Sequence, residues 1–350
     1  MTLSNAKLFS LTRGFCCLLF ALVAAGRSAA AGAELPVSTI PDAAAQLKRC
    51  IDNGWQSVTL DVAGLRRGVL WQGPKQAWRK GTIVMLHGGG GSHANWCAAK
   101  EKIVEPQVRF VERALAEGFA VFLLDSTDKV TDNRGRLCGK VWDDEVRARP
   151  NLDLPYIEKV LRELIPRQRP AGSREEIFLT GLSSGGYMTV RAATHFDNLV
   201  TAFAPVSSGD PYGWHRECDP ELARLQRSNV HGVSVDNETG KRIHEHGSCR
   251  AASYPNEKPW ESAKPAVKPA FRRVAHEDDG LNDITCSHKV GQQLRVHGYA
   301  EEPAVIVNSR GRRDLASHFW LDVYHQPILE FFTRQLGVNE PAAAKQKYSC

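Results

Sequence analysis

The chain has 350 residues, enough for one large domain or two modest ones, and 42% of them are hydrophobic, so a sizeable core can form. The net charge of +6 is mild, and no cluster of basic residues stands out. Composition and charge therefore argue against nucleic acid as a partner.

The first 33 residues have the pattern of a secretory signal peptide. Basic residues precede a short apolar run at 14–26, and small residues follow it. The run is too short for a comfortable membrane span of about 20 residues, so we predict cleavage, after Ala33 or else after Ala30. The mature protein is then expected to be secreted or periplasmic, with no membrane partner. The leader carries three basic residues and no acid, so its loss lowers the net charge to +3.

Seven of the nine cysteines lie beyond this leader. An exported chain meets an oxidising compartment, so disulfides are expected. No pair has the C-x-x-C spacing, which argues against a zinc knuckle, and we predict no metal site. Because seven is odd, at least one thiol is left over. Cys350, the last residue, is the expected one, and Cys218 with Cys249 is one possible pair.

Residues 57–71 alternate apolar and polar side chains, which predicts an antiparallel strand pair. Beyond them, short apolar runs alternate with helical periodicity. Buried strands are predicted in 81–92, 120–126, 175–181, 200–208, 270–279 and 304–309. Helices are predicted at 105–118, 151–166, 185–196, 287–298 and 326–337. This alternation indicates an α/β fold, a mostly parallel sheet with helices on both faces.

The alternation lapses at about 210–264, which is polar and contains four histidines and two cysteines. We predict one domain over 34–340 with this segment as an insertion, a candidate lid, and a loose tail at 341–350. Several aromatic residues of the segment could line a pocket for a phenolic ring or sugar, or could pack its own small core, the reading we favour. They are Tyr212, Trp214, Tyr254 and Trp260, which Trp320 could join.

The stretch "TGLSSGGYM" follows one of the buried strands and precedes a helix, the setting of a nucleophile elbow. Because the chain passes close to itself there, the positions two before and two after the nucleophile must be small. Ser183 has Gly181 and Gly185 at those positions, whereas Ser184 has Leu182 on one side. Ser183 is therefore the predicted nucleophile. Ser184 is expected to donate its backbone N–H to an oxyanion hole, with no role for its side chain.

The stretch "HGGGGS", beginning at His87, follows the first buried strand of the parallel series. Glycines there let a backbone N–H approach a substrate oxygen, so we predict the second oxyanion donor at Gly89, or else at Gly88. A phosphate-binding loop would need a Gly-Lys-Ser/Thr ending, which is absent. His87 itself is expected to be structural.

A triad in this setting runs Ser, then acid, then His along the chain. The acid is expected after a strand that follows the elbow, which places it at Asp279 or, as second choice, Asp283. The histidine is expected after the next strand, at His318, with His325 second. Ser183 would attack the substrate, His318 would take and return its proton, and the acid would orient His318.

Four stretches resemble the secreted polyhydroxybutyrate depolymerase and feruloyl esterase group of α/β-hydrolases: "IVMLHGGGGS", "NLDLPYIEKVLREL", "IFLTGLSSGGYMTVRAA" and "TAFAPVSSG". The resemblance implies an α/β-hydrolase fold, a Ser-Asp-His triad, no cofactor, and hydrolysis of plant phenolic esters, acetylated sugars or aliphatic polyesters. It places the nucleophile at Ser183. It places the histidine at His318, where "SHFW" is similar to the group's G-H-x-W with Ser317 in place of glycine. After the acid-bearing strand the chain departs from the group's spacing, so the register of the acid stays open.

Two other functions for the chain remain open at this point: a peptidase and a non-catalytic binding protein. "GLSSGGYM" also resembles prolyl-oligopeptidase-type peptidases, although only about 50 residues lie between the predicted signal and "MLHGGGG", too few for a large N-terminal propeller. A non-catalytic binding protein on the same scaffold would lack a triad member.

Overall fold

The central feature is a nine-stranded sheet, seen in a computed structural model of the chain. The strands run in the order β1-β2-β4-β3-β5-β6-β11-β12, and β10 pairs with β6. They are β1 (Gln56–Val62), β2 (Leu65–Gln72), β3 (Thr82–Leu86), β4 (Ala120–Leu124), β5 (Ile177–Leu182), β6 (Ala202–Val206), β10 (Ala270–Phe271), β11 (Val274–His276) and β12 (Val305–Val307). The structure describes residues 43–99, 101–131, 140–144, 149–212, 226–230, 233–236, 242–243, 268–280, 282, 284–308 and 316–337.

The leading pair, β1 with β2, is antiparallel, as the alternating sequence predicted, and β2 is antiparallel to β4. The other neighbours in this sheet are parallel. The carboxyl ends of the parallel strands therefore share one edge of the sheet, and the loops that leave them meet there.

Helices cover both faces of the sheet. Successive residues of a strand point to opposite faces, and in β3 the side chains of Ile83 and Met85 join one hydrophobic cluster while Val84 and Leu86 join the other. One cluster includes side chains of α1 (Ala43–Asp52), α2 (Glu105–Ala116) and α7 (His325–Arg334). The other includes side chains of α3 (Leu154–Lys159), α5 (Ser184–His195) and α6 (Ile284–Val296). The predicted α/β architecture is confirmed.

The helix predicted to end at Pro166 runs further. A π turn at Val160–Leu164 joins α3 to a short α4 (Ile165–Gln168). A proline inside a regular α-helix lacks an N–H and collides with the carbonyl four residues earlier. The π turn changes the hydrogen-bond spacing just before Pro166, and Pro166 then occupies one of the first two positions of α4, where no intrahelical N–H bond is needed.

The polar insertion contains strands that the sequence did not reveal. β7 (Gln226–Val230), β8 (Val233–Asp236) and β9 (Arg242–Ile243) pair antiparallel into a separate three-stranded sheet. The other predictions for the insertion, including Trp214, Tyr254, Trp260 and the pairing of Cys218 with Cys249, lie outside the described residues. So do the leader at 1–33, the tail at 341–350, and Cys350 as the leftover thiol.

A disulfide joins Cys50 in α1 to Cys97, which follows a short 3₁₀ turn at His93–Trp96. Both cysteines are buried, and their Cα atoms are 5.5 Å apart. Cys286 in α6 is also disulfide-bonded. The expectation of disulfides thus holds for all three cysteines in the described part of the chain.

Candidate active site

The two serines of "TGLSSGGYM" have different roles in the backbone. Ser183 lies between β5 and α5 with φ 56° and ψ −122°, a conformation that non-glycine residues rarely adopt. Its N–H donates to the carbonyl of Val206 (3.0 Å) on the neighbouring strand, and its own carbonyl accepts from the N–H of Tyr187 (2.9 Å). Ser183 is half-buried, whereas Ser184 is the first residue of the helix and is buried.

The glycines flanking Ser183 are required by close packing. A Cβ atom at Gly181 would lie 2.5 Å from the carbonyl oxygen of Gly185, and a Cβ atom at Gly185 would come still closer to the carbonyl oxygen of Leu86. Real Cβ atoms do not approach backbone oxygens so closely. The structure therefore places Ser183 at the tip of a strand–turn–helix elbow, the position that the glycine spacing predicted.

A histidine and a carboxylate from two other loops meet at the same edge of the sheet. Nδ1 of His318 lies 2.9 Å from each carboxylate oxygen of Asp279, and both side chains are buried. Asp279 follows β11, and His318 lies in a 3₁₀ turn between β12 and α7. These are the first-choice acid and histidine of the sequence prediction.

Asp279 is held in place by its own loop. The N–H of Asn282 donates to the Oδ1 atom of Asp279 (2.8 Å), and the side-chain amide of Asn282 donates to the carbonyl of Ser207. Ser207, at the end of β6, has a positive φ of 48°. These bonds connect the acid to the loop that leaves the neighbouring strand.

The alternatives for the triad acid and histidine were Asp283 and His325. Asp283 lies outside the described residues. His325, the first residue of α7, is buried against the ring of Phe110 (centroids 5.5 Å apart), with a ring nitrogen 3.7 Å from the exposed Asp322. Burial lowers the pKa of His325 to about 4. Among the described residues, His325 has no buried carboxylate partner of the kind that His318 has.

The ring of His87 helps to hold the glycine loop. Nδ1 lies 2.7 Å from the carbonyl oxygen of Gly88, and Nε2 lies 3.0 Å from the backbone nitrogen of Ser126, whose N–H it accepts. Nε2 also lies 3.3 Å from the carboxylate of Asp125. The ring is buried and tied to backbone groups, which agrees with a structural role.

The predicted oxyanion donors lie on two chain segments at this edge. Gly89 follows β3 within the glycine loop, and Ser184 is the first residue of α5, where backbone N–H groups have no intrahelical acceptor. The next glycine, Gly90, donates its N–H to the carbonyl of Lys140 (2.7 Å). The loop is thus held at Gly90 as well as by the ring of His87.

The expectation that the Ser184 side chain has no role is contradicted. Its Oγ atom accepts a hydrogen bond from the N–H of Trp142 (3.2 Å) and donates one to the carboxylate of Asp144 (3.0 Å). All three residues are buried. No sequence pattern indicates this contact, because Trp142 and Asp144 lie in an irregular segment about 40 residues before the elbow.

Two aromatic residues considered as pocket walls lie in the interior. Trp320 is fully buried and packs edge-on against Trp96 (centroids 5.1 Å apart). Tyr212 is buried, and its hydroxyl lies 2.9 Å from that of Thr194 in α5. Both are packing residues, but their partners Trp96 and Thr194 belong to the main domain and not to a small core of the insertion, which was the expectation.

Within the ranges described above, no three His, Cys, Asp or Glu side chains cluster so that they could hold a metal ion. None of the helices there is long and apolar enough to cross a membrane.

The sheet topology, with a strained serine between a buried strand and a helix, defines the α/β-hydrolase class of folds. The sequence profile of the alpha/beta hydrolase family matches residues 83–334, more than two thirds of the chain. The chain belongs to this family. No curated protein matches it significantly.

Solved structures similar to this chain include both esterases and a peptidase. A thermostable esterase is 16% identical, with a TM-score of 0.49, and the match covers 81% of this chain and 63% of that one. Est1E from Butyrivibrio proteoclasticus is 14% identical, with a TM-score of 0.48 and coverages of 80% and 98%. Pyrococcus horikoshii acylaminoacyl peptidase is 15% identical, with a TM-score of 0.48 and coverages of 82% and 42%. Likenesses at this level do not bear on the activity.

Proposed function

We propose that this protein is a serine hydrolase that cleaves carboxylic esters, with Ser183 as nucleophile, His318 as general base and Asp279 as the triad acid. The observation that carries the proposal is the buried pair of His318 and Asp279 at the sheet edge where Ser183 stands at the elbow. Along the chain the nucleophile comes first, then the acid and then the base, which is the order expected for this fold class.

The contact at Nδ1 determines what His318 can do. A carboxylate accepts a hydrogen bond from Nδ1–H, so Nε2 of the neutral ring carries the lone pair and can act as a base. In the proposed first half-reaction, Nε2 takes the hydroxyl proton of Ser183 while Oγ attacks the ester carbonyl carbon. The protonated ring then gives this proton to the leaving alkoxide, and an acyl-enzyme and an alcohol result.

In the second half-reaction, water replaces the alcohol. Nε2 takes a proton from water, the resulting hydroxide oxygen bonds to the acyl carbon, and the bond from that carbon to Oγ of Ser183 breaks. The proton returns to Oγ, and a carboxylic acid leaves. The backbone N–H groups of Ser184 and Gly89 are the proposed donors to the oxyanion in both halves.

For the substrate, we propose feruloyl or acetyl esters or short polyesters such as polyhydroxybutyrate. This assignment rests on the sequence resemblance to the depolymerase and feruloyl esterase group. We further propose that the mature protein is secreted or periplasmic. Support comes from the signal-like pattern at 1–33 and from the Cys50–Cys97 disulfide, which suits an oxidising compartment.

A substrate panel tests the proposal. The mature chain would be assayed on short-chain nitrophenyl esters, methyl ferulate, acetylated xylan, polyhydroxybutyrate and a proline-containing peptide, each beside Ser183→Ala. Turnover of at least one ester by the wild type, lost in the variant, is the expected result. Cleavage of the peptide alone would replace the esterase proposal with a peptidase. No turnover of any compound, with the chain folded, would favour a binding protein.

A further inference from the structure

We propose that residues 140–144 form a clasp that sets the spacing between the two oxyanion donors, with Trp142 and Asp144 as positioning residues. This inference rests on the proposed function, because it concerns the same oxyanion hole. The clasp bridges the glycine loop after β3 and the elbow between β5 and α5, two segments that are about 95 residues apart in the chain.

One side of the clasp holds the glycine loop. The carbonyl of Lys140 accepts the N–H of Gly90 (2.7 Å), and the indole N–H of Trp142 donates to the carbonyl of His87 (2.8 Å). The rings of Trp142 and His87 also pack together, with centroids 5.2 Å apart. Gly89 therefore lies in a short stretch whose two flanking residues are both bonded to the clasp.

The other side of the clasp holds the elbow through the Ser184 hydroxyl. Oγ accepts the backbone N–H of Trp142 and donates its own hydrogen to Asp144, so both contacts fix its position and orientation. A hydroxyl bonded to a carboxylate makes one of the stronger hydrogen bonds found in proteins. Trp142 thus contacts both segments at once, the glycine loop through its indole and the elbow through its backbone.

The clasp is itself anchored to the rest of the fold. The carboxylate of Asp143 accepts the N–H of Leu152 (2.8 Å) and pairs with Arg149 (2.7 Å). The N–H of Asp143 donates to Asp153 (2.6 Å), whose other oxygen pairs with the buried Arg67 of β2. Buried charges paired in this way are costly to separate, so the clasp has little freedom to drift.

This arrangement matters because an oxyanion hole works only if its donors are already in place. Removing one donor typically costs about 100- to 1,000-fold in kcat. A misplacement of about 1 Å costs on the order of 100-fold. Neither Trp142 nor Asp144 belongs to the triad or supplies a donor, so each is expected to act through the spacing of Ser184 and Gly89.

The test uses Trp142→Phe, Ser184→Ala and Asp144→Ala in the mature full-length chain. Each variant keeps both predicted backbone donors. Trp142→Phe and Asp144→Ala each remove one clasp contact, and Ser184→Ala removes the two that its hydroxyl makes. We expect kcat on a nitrophenyl ester to fall about 10- to 100-fold with KM changed less than about threefold, because the loss is confined to the transition state. A trifluoromethyl ketone, which forms a tetrahedral oxyanion adduct with a serine hydrolase, should lose affinity in step with kcat/KM.

Three comparisons separate positioning from general damage. Asp144→Asn keeps an oxygen that accepts the Ser184 hydrogen, so it should recover most of the activity lost in Asp144→Ala. The double variant of Ser184→Ala with Asp144→Ala should be no worse than about the poorer single variant, because both remove the same contact. Trp71→Phe and Asp128→Ala, at a partly buried tryptophan on β2 and an exposed aspartate, are the matched controls and should leave kcat unchanged.

The outcomes distinguish the clasp from the esterase proposal. If the wild type hydrolyses no ester, the proposed function fails first. If the wild type is active and the folded clasp variants match it in kcat, the clasp proposal is overturned. A rise in KM with kcat unchanged would also overturn it, because the clasp would then bind substrate. Should Asp144→Ala fail to fold, Ser184→Ala tests the same contact from the other side.

Discussion

Nδ1 of His318 lies 2.9 Å from both carboxylate oxygens of Asp279, and both groups are buried. The two residues are 39 positions apart and come from loops that leave neighbouring strands of the sheet. A buried carboxylate against one ring nitrogen fixes which nitrogen carries the proton. The pair therefore leaves the other ring nitrogen, Nε2, available for the chemistry proposed at Ser183.

Asp279→Asn tests the proposed role of the acid. An amide can donate to Nδ1 and so select the wrong tautomer, with Nε2 protonated. We expect kcat to fall about 10⁴-fold with the fold intact. Steady-state kinetics on a nitrophenyl ester, with thermal unfolding as a check, measures this.

The matched control for that change is Asp278→Asn, one residue earlier in the same loop, where the side chain is half-buried. It should retain most of the activity. Equal losses in both variants would mean that the loop, and not the contact with His318, matters. A full loss in Asp283→Asn with activity kept in Asp279→Asn would move the acid to the second-choice residue.

His318→Gln and His325→Gln separate the two candidate histidines. The first should lose activity by about the factor expected for a triad member, 10³-fold or more. The second should keep kcat, because His325 packs on Phe110 and the structure pairs Asp279 with His318. Loss of activity in His325→Gln, with normal unfolding and an active His318→Gln, would reverse the assignment.

Asp210 should make the protein less stable as pH rises. Burial raises the pKa of Asp210 to about 6, and its Oδ2 atom has no hydrogen-bond partner among the described residues. Between about pH 4 and pH 6 the unfolded chain gives up this proton while the folded chain keeps it, so the free energy of unfolding falls by about 2–3 kcal/mol. Asp210→Asn removes this penalty.

Urea unfolding at pH 4 and pH 8 checks this prediction. The difference in the free energy of unfolding between Asp210→Asn and wild type should be more favourable to the variant at pH 8 than at pH 4, by about 2–3 kcal/mol. The asparagine still offers an oxygen to the N–H of Tyr212, which Asp210 accepts at 2.9 Å. Asp61→Asn, at an exposed position on β1, is the control and should show no such difference. Parallel pH profiles for Asp210→Asn and wild type would contradict the prediction.

The disulfide between Cys50 and Cys97 should contribute measurably to stability. It closes a loop with a sequence separation of 47, for which chain entropy in the unfolded state suggests about 4 kcal/mol, with measured values typically about 2–4 kcal/mol. Replacing both cysteines by alanine should lower the free energy of unfolding by about 2–4 kcal/mol. Because Cys286 is also disulfide-bonded, the double variant is a cleaner comparison than a reductant. An unchanged urea midpoint would show that the bond adds nothing.

The parts of the fold that were predictable depend on local pattern. Strand and helix alternation predicted the α/β architecture, since the buried strands are short, mostly apolar runs such as "TIVML" in β3. The elbow was predictable for a steric reason, because glycine is the only residue that fits at Gly181 and Gly185. Chain order then led to Asp279 and His318, although spacing alone could not choose between Asp279 and Asp283.

The parts that were missed depend on contacts between distant segments. Nothing near Trp142 or Asp144 in the sequence indicates that they meet Ser184, because the segment has no periodicity and no motif. The continuation of the helix through Pro166 was missed because proline ordinarily ends a helix, whereas a π turn precedes it here. The strands β7, β8 and β9 were missed because they are short, and the alternation of "VSVD" in β8 covers only four residues.

The central claim is that Ser183 is the nucleophile, and covalent labelling tests it most directly. The mature protein would be treated with a fluorophosphonate and the modified peptide sequenced by mass spectrometry. The account predicts a single adduct on Ser183, absent from Ser183→Ala and still formed in Ser184→Ala. An adduct on Ser184, or labelling that persists in Ser183→Ala and disappears in Ser184→Ala, would contradict it.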